Sequence, residues 1–173
     1  MRKIRAAITA VGGYVPEKVL SNADLEKMVD TTDEWIRTRT GIKERRILGA
    51  GLGSSFMAVK AVENLFQRKN VSPEDIDLII FATVTPDMLF PSSACLVQEK
   101  IGAKKAWGYD LIAACSSFLF ALQTGVQFIE SGSMKKVLVI FCSLIVAFGL
   151  AGCIGKGKAP VGKGKAPVVQ TKG

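Results

Sequence analysis

The chain has no histidine at any of its 173 positions. That removes the side chain that most often shuttles protons near neutral pH and most often ligates metals. It has no Cys-x-x-Cys pair either: Cys95, Cys115, Cys142 and Cys153 are widely spaced. This spacing gives no metal framework, and a disulfide scaffold is not expected in a chain of this size. Acidic residues are missing beyond position 133. Residues 1–133 carry 16 Lys and Arg against 15 Asp and Glu, whereas residues 134–173 carry 7 Lys and no acid. The net charge of +8 therefore belongs to the tail, and it does not argue for a nucleic-acid partner. The opening Met1-Arg2-Lys3-Ile4-Arg5 is basic but leads into no apolar core of signal-peptide length, so no export signal is expected there.

What is present is enough apolar material, 49% of residues, for one domain with a real core. Ile4 to Val11 is a short apolar stretch ending at Gly12-Gly13, and is predicted to be a strand. Ser21-Asn22-Ala23-Asp24 reads as a helix start, with Ser21 or Asn22 as the cap. Residues 33–39 form a second short helix stopped before Gly41. Apolar residues recur with helical spacing from Gly53 to about Gln67. Ile76 to Thr83 is nearly all apolar between turn signals, as in a buried parallel strand. Pro91-Ser92-Ser93 opens a helix to about Ile101. Ala106 to Ile112 is a strand, Ala114 to Glu130 a helix, and Lys136 to Ile140 begins another strand. Strands alternating with helices predict a layered α/β fold.

One strand-to-helix junction has chemical potential. Asp110-Leu111-Ile112-Ala113-Ala114-Cys115-Ser116-Ser117 surrounds a cysteine with small residues, so the chain can turn sharply. A thiol there sits near the partial positive charge of a helix start, which favours thiolate. Neighbouring N–H groups can hold an oxyanion. A buried structural cysteine is the competing reading at this point.

Several motifs in order resemble beta-ketoacyl-acyl carrier protein synthase III, a family of the thiolase-like superfamily. They are Asp30-Thr31-Thr32-Asp33-Glu34-Trp35-Ile36-Arg37-Thr38-Arg39-Thr40-Gly41-Ile42-Lys43-Glu44-Arg45, then Ala82-Thr83-Val84-Thr85-Pro86-Asp87, then Phe90-Pro91-Ser92-Ser93-Ala94-Cys95, then the Cys115 segment. The resemblance runs from residue 4 to about Ile140. It implies an α/β thiolase-like fold, with this chain supplying the amino-terminal half of a five-layered α-β-α-β-α sandwich. It implies an acyltransferase that starts type II fatty-acid synthesis in the cytoplasm, normally as a homodimer. Its substrates are an acyl-CoA and malonyl-acyl carrier protein, with CoA a substrate and no permanently bound cofactor. By the same resemblance Cys115 falls on the nucleophile, and Trp35 and Arg39 on residues that sandwich the CoA adenine. Thr31 falls on a nearby nucleotide contact, and Phe90 on a residue that reaches across the dimer to the partner's acyl pocket. From the residues alone, Trp35 can equally be a core aromatic and Arg39 a solvated charge, while Phe90 can pack on its own helix. Cys95 reads as structural. The family's second half brings a histidine and an asparagine that stabilise the carbanion, and this chain has no histidine. Full condensation by this chain alone is therefore not expected.

After Ser133 the character changes. Residues 137–154 are uncharged, and Gly155 to Val161 repeats at once as Gly162 to Val168. Met134-Lys135-Lys136 through Leu150-Ala151-Gly152-Cys153 resembles a bacterial lipoprotein signal peptide. It overlaps the expected strand at Met134 to Ile140, which makes that segment a junction between two patterns. The expected organisation is a half-domain over 1–140, an apolar segment over 141–154 and a disordered Gly/Lys/Pro repeat over 155–173. A non-catalytic alternative is a membrane-attached or interaction protein that inserts residues 137–154.

Overall fold

The structure, a computed structural model, describes residues 4–142. The expected apolar segment and repeat beyond Cys142, and Cys153 with them, lie outside the described residues.

Strand β3, Leu78–Ala82, is the centre of the unit. All five of its residues are fully buried, because the strand is covered on both faces. It pairs in parallel with β4, Trp107–Leu111, on one side and with β5, Val137–Phe141, on the other. Its alternation sorts the core into two layers. Ile79 and Phe81 pack with Ala58 and Val62 of α3, Ser54–Arg68, and with Ala94 and Val97 of α4, Ser93–Ile101. Leu78, Ile80 and Ala82 pack with Ala121 of α5, Ser117–Glu130. The result is a helix–sheet–helix sandwich. Each large side chain of β3 contributes about 1.5–3 kcal/mol by leaving water. Gly108 lets β4 approach closely, since a Cβ there would lie 2.8 Å from the carbonyl of Ile79.

The junction segment is integral to this sheet. Asp77 accepts hydrogen bonds from the backbone N–H groups of Lys135 (2.7 Å) and Lys136 (2.9 Å), and these fix the start of β5 beside β3. The Lys136 ammonium also pairs with Asp75 at 2.7 Å.

A second, smaller sheet departs from the sequence reading, which contained neither of its strands. Strand β1, Lys18–Ser21, pairs antiparallel with β2, Glu44–Ile47. Between them run two helices, α1, Asn22–Glu26, and α2, Asp33–Thr40. Of the two candidate caps for α1, Ser21 does the work, in a reciprocal capping box with Asp24. Gly41 ends α2 at φ 71°, a left-handed conformation that glycine adopts at little cost.

Ile4 to Val11 is the clear correction: it forms no strand. Its residues line a cleft of about 1770 Å³ that Val137 to Cys142 line as well, with no hydrogen-bonded ladder between the two segments. A strand needs a second backbone within hydrogen-bonding reach, and among the described residues this segment pairs with neither outer strand of the sheet, β4 or β5. Ile8 and Val11 remain exposed, at 71% and 63%. Just past this segment, Gly13 N–H donates to the Asn64 side-chain oxygen of α3 at 3.2 Å.

Candidate functional site

Cys115 lies in a single 3-10 turn, Ala114–Ser116, between β4 and α5. Its thiol is exposed, so the buried structural reading is excluded. The turn is strained: Ala114 has φ 48°, the one positive φ at a non-glycine among the described residues. Such a value costs an L-residue about 1 kcal/mol or more. Ser117 closes the turn by donating its hydroxyl to the Ala114 carbonyl at 2.8 Å. No side chain caps the first turn of α5; the N–H groups that follow the cysteine are taken by backbone carbonyls, Ser116 by Ala113 at 3.1 Å and Ser117 by Ala114. A nucleophile that is out in solvent can accept an acyl group.

The other cysteines are less available. Cys142 is half-buried, and burial together with the charge of Asp87 pushes its thiol pKa up. Cys95 is also half-buried and accepts the Ser92 hydroxyl at 3.2 Å, consistent with a structural place.

Trp35 and Arg39 stand one turn apart on α2, and the Arg39 guanidinium carbon lies 4.6 Å above the indole ring. The pair makes a cation–π contact with a flat face and a positive charge. Trp35 is half-buried and Arg39 exposed, so neither is simply core. Thr31 is half-buried just ahead of the helix, whose cap is Thr32, accepting the Trp35 N–H at 3.1 Å. Thr31 and Trp35 line the large cleft. Cys115, Arg39 and Phe90 do not. Phe90 is 89% exposed in the loop between β3 and α4, and so is not packed on its own helix. Leu89 beside it is 98% exposed.

Three positioning groups were not singled out from sequence. Asp87 caps α3 from 32 residues away: its carboxylate accepts from Ser54 Oγ (2.8 Å), Ser55 Oγ (2.6 Å) and Ser55 N–H (2.9 Å). Burial pushes the Asp87 carboxyl up, but the hydrogen bonds from Ser55 and Ser54 outweigh it and hold the group below the ordinary range. Asp110, on β4, caps α4 by accepting the N–H groups of Ser93 and Ala94, both at 2.8 Å. Together these two carboxylates fasten the loop that carries Phe90 and the strand that leads to Cys115. The third group is Asn22, buried among charged partners. Its amide donates to Asp33, which holds that carboxyl below its usual range. The only sequence signal was indirect: Gly53 at the head of α3 offers no cap of its own, so another group had to supply one.

Among the described residues, no helix is long and apolar enough to cross a membrane.

Residues 109–148 match the family model described as 3-Oxoacyl-[acyl-carrier-protein (ACP)] synthase III. A beta-ketoacyl-[acyl-carrier-protein] synthase III of Chlorobaculum tepidum is 57% identical over 138 residues, 79% of this chain and 42% of that protein. Its counterpart from Chlorobium phaeovibrioides is 59% identical with the same coverage of both chains. The crystal structure of 3-oxoacyl-[acyl-carrier-protein] synthase III from Aquifex aeolicus superposes with a TM-score of 0.73 at 52% identity, over 76% of this chain and 42% of that one. The chain thus spans about two-fifths of the length of the relatives it matches. Some four-fifths of the chain matches the beta-ketoacyl-[acyl-carrier-protein] synthase III family in sequence, and the part described has its thiolase-like fold.

Proposed function

We propose that Cys115 is the acyl acceptor of a beta-ketoacyl-acyl carrier protein synthase III, and that this chain holds the acyl-loading part of that reaction. The observation that carries the reading is the exposed thiol on the strained turn between β4 and α5. In the loading step the Cys115 sulfur attacks the thioester carbonyl of an acyl-CoA. The carbon–sulfur bond to CoA breaks, CoA leaves as its thiol with the proton Cys115 gave up, and an acyl-cysteine remains. In the second step malonyl-acyl carrier protein loses CO2, and its carbanion attacks the acyl-cysteine and expels the Cys115 thiolate. In the family that step uses a histidine and an asparagine from the second half. With no histidine in the chain, loading is the activity proposed for it, and complete condensation is not.

The CoA adenine would enter between Trp35 and Arg39, the exposed guanidinium swinging off the ring it now covers at 4.6 Å to make room. Thr31, ahead of the same helix, would contact the nucleotide. Phe90, exposed on its loop, would reach the acyl pocket of a second subunit in a homodimer. CoA is substrate here, and the reading calls for no permanently bound cofactor and for a cytoplasmic setting.

We propose a thiolase-like half-domain over 1–140; the apolar segment expected over 141–154 and the Gly/Lys/Pro repeat expected over 155–173 fall, past Cys142, outside the described residues. The family match runs eight residues past the first of these boundaries, to residue 148. Residues 134–153 keep their lipoprotein-leader pattern, with Cys153 in the lipobox position. An internal pattern of this kind is not expected to be processed, because such a signal must begin a chain.

The test is to incubate the full chain with acetyl-CoA and follow CoA thiol release together with intact mass. Release of one thiol per chain with a one-acetyl mass increment, lost in Cys115→Ala, is expected. An increment that survives Cys115→Ala would overturn the assignment.

A further inference from the structure

Helix α2 carries Trp35 and Arg39, yet it is only eight residues long and buries a single side chain, Ile36. A helix that short is marginal alone, and one buried isoleucine does not fix its tilt. The Glu26 carboxylate accepts the N–H of the helix's first residue, Asp33, at 2.6 Å, and both ends of the helix are held by the side chain of Asn22, 2% exposed. One N–H of its amide is within 2.7 Å of Asp33, the first residue of α2. The amide nitrogen is also 2.8 Å from the carbonyl of Ile42, just past the helix end at Gly41. The amide oxygen accepts from the guanidinium of Arg45, itself buried, on β2. The Asn22 backbone N–H donates to Lys43 at 3.2 Å. Both donors and the acceptor of the amide are thus used, and they grip the helix at its two ends.

We infer that Asn22 is a positioning residue for the CoA nucleotide: it sets the tilt of α2 and thereby the direction in which the Trp35–Arg39 pair is presented, without touching the ligand. The inference rests on the nucleotide role of Trp35 and Arg39 proposed above. A residue with this role governs affinity for CoA thioesters. It leaves the chemistry at Cys115 alone, because Cys115 lies in the turn after β4, outside the unit that β1, β2 and α2 form.

Asn22→Asp keeps the size and the acceptor for Arg45. It removes both N–H donors and sets a carboxylate against Asp33. The assay compares two acetyl donors on the full chain. One is acetyl-CoA, giving a half-saturating concentration for acetylation of Cys115. The other is S-acetyl-N-acetylcysteamine, a thioester with no nucleotide, giving a second-order rate. The half-saturating acetyl-CoA concentration is expected to rise about tenfold, as for loss of one charge-assisted hydrogen bond, with the short thioester's rate unchanged. Asp33→Ala removes the same contact from the exposed side, so it reports even where Asn22→Asp fails to fold, and it is expected to shift affinity in the same direction. Unchanged half-saturation in Asp33→Ala or in a folded Asn22→Asp overturns the inference. So does a fall in reactivity toward both donors together, which marks a residue needed only for folding. Trp35→Ala separates the two levels. If it leaves half-saturation unchanged, the nucleotide reading fails and takes this inference with it. If it raises half-saturation while the Asn22 and Asp33 variants do not, only the role of Asn22 is lost.

Discussion

Replacing Asp87 by alanine isolates one carboxylate that joins two parts of the fold. The carboxylate takes three hydrogen bonds from the head of α3, and Ser54 and Ser55 are nearly fully buried at 5% and 2% exposure. Alanine leaves one N–H and two hydroxyls without that acceptor. Hydrogen bonds to a charged group are worth about 1.5–3 kcal/mol each, but Asp87 is only half-buried, so solvent screens part of its charge. A total of about 2–4 kcal/mol is expected. Asp87→Asn should cost only about 1 kcal/mol. Its Oδ1 still receives Ser54 and the Ser55 N–H, while the new NH2 can donate to the Ser55 hydroxyl, which reverses its role. Urea unfolding of the full chain, followed by far-ultraviolet circular dichroism, measures both. The contribution also depends on pH. The folded carboxyl lies below its ordinary value, so its stabilisation is full above about pH 4, the unfolded pKa, and fades as pH falls through the folded one. The gap between wild type and Asp87→Ala should therefore narrow in acid. An alanine variant within about 0.5 kcal/mol of wild type at pH 7, inside the ordinary surface range, would refute the reasoning, as would a gap that widens below pH 4.

Ala114→Gly should stabilise the chain by about 0.5 kcal/mol, because glycine relieves the φ of 48° and gives back part of that gain as unfolded-state entropy. A lower urea midpoint would contradict this. Gly108→Ala should cost about 1–3 kcal/mol, since its Cβ would meet the Ile79 carbonyl at 2.8 Å and the Ala94 Cβ at 3.1 Å. An unchanged melting temperature would show that β4 can shift outward. Iodoacetamide at mildly alkaline pH should label exposed Cys115 before Cys142, whose thiolate is disfavoured by burial. Peptide mapping of the first labelled site checks this order.

The central sandwich was legible because its signals are local. Ile76 to Thr83 has no charged residue but Asp77, and it is bounded by turn residues, so the buried strand could be placed within two residues. Gly41 and Gly102 stop their helices by a backbone preference visible in one residue. The turn at Cys115 was read from small neighbours. The strands β1 and β2 were not legible. Each is four residues long, and Glu44-Arg45-Arg46-Ile47 has no apolar alternation, so only their pairing across more than 20 residues defines them. Ile4 to Val11 failed in the opposite sense: its composition suits a strand, but it pairs with no strand among the described residues. Asn22, Asp87 and Asp110 were missed because their work is done across 11 to 33 residues of chain. A spacing pattern cannot show that Asp87 caps a helix that begins at Ser54.

Cys115 is the residue proposed to take an acyl group from coenzyme A. Tandem mass spectrometry of the full chain after brief exposure to acetyl-CoA, with the thioester preserved during digestion, reads this directly. An acetyl group on the peptide containing Cys115, with those of Cys95 and Cys142 unmodified, is the predicted result. Acetylation distributed over several cysteines, or absent from Cys115 while the thiol remains open to iodoacetamide, would contradict it.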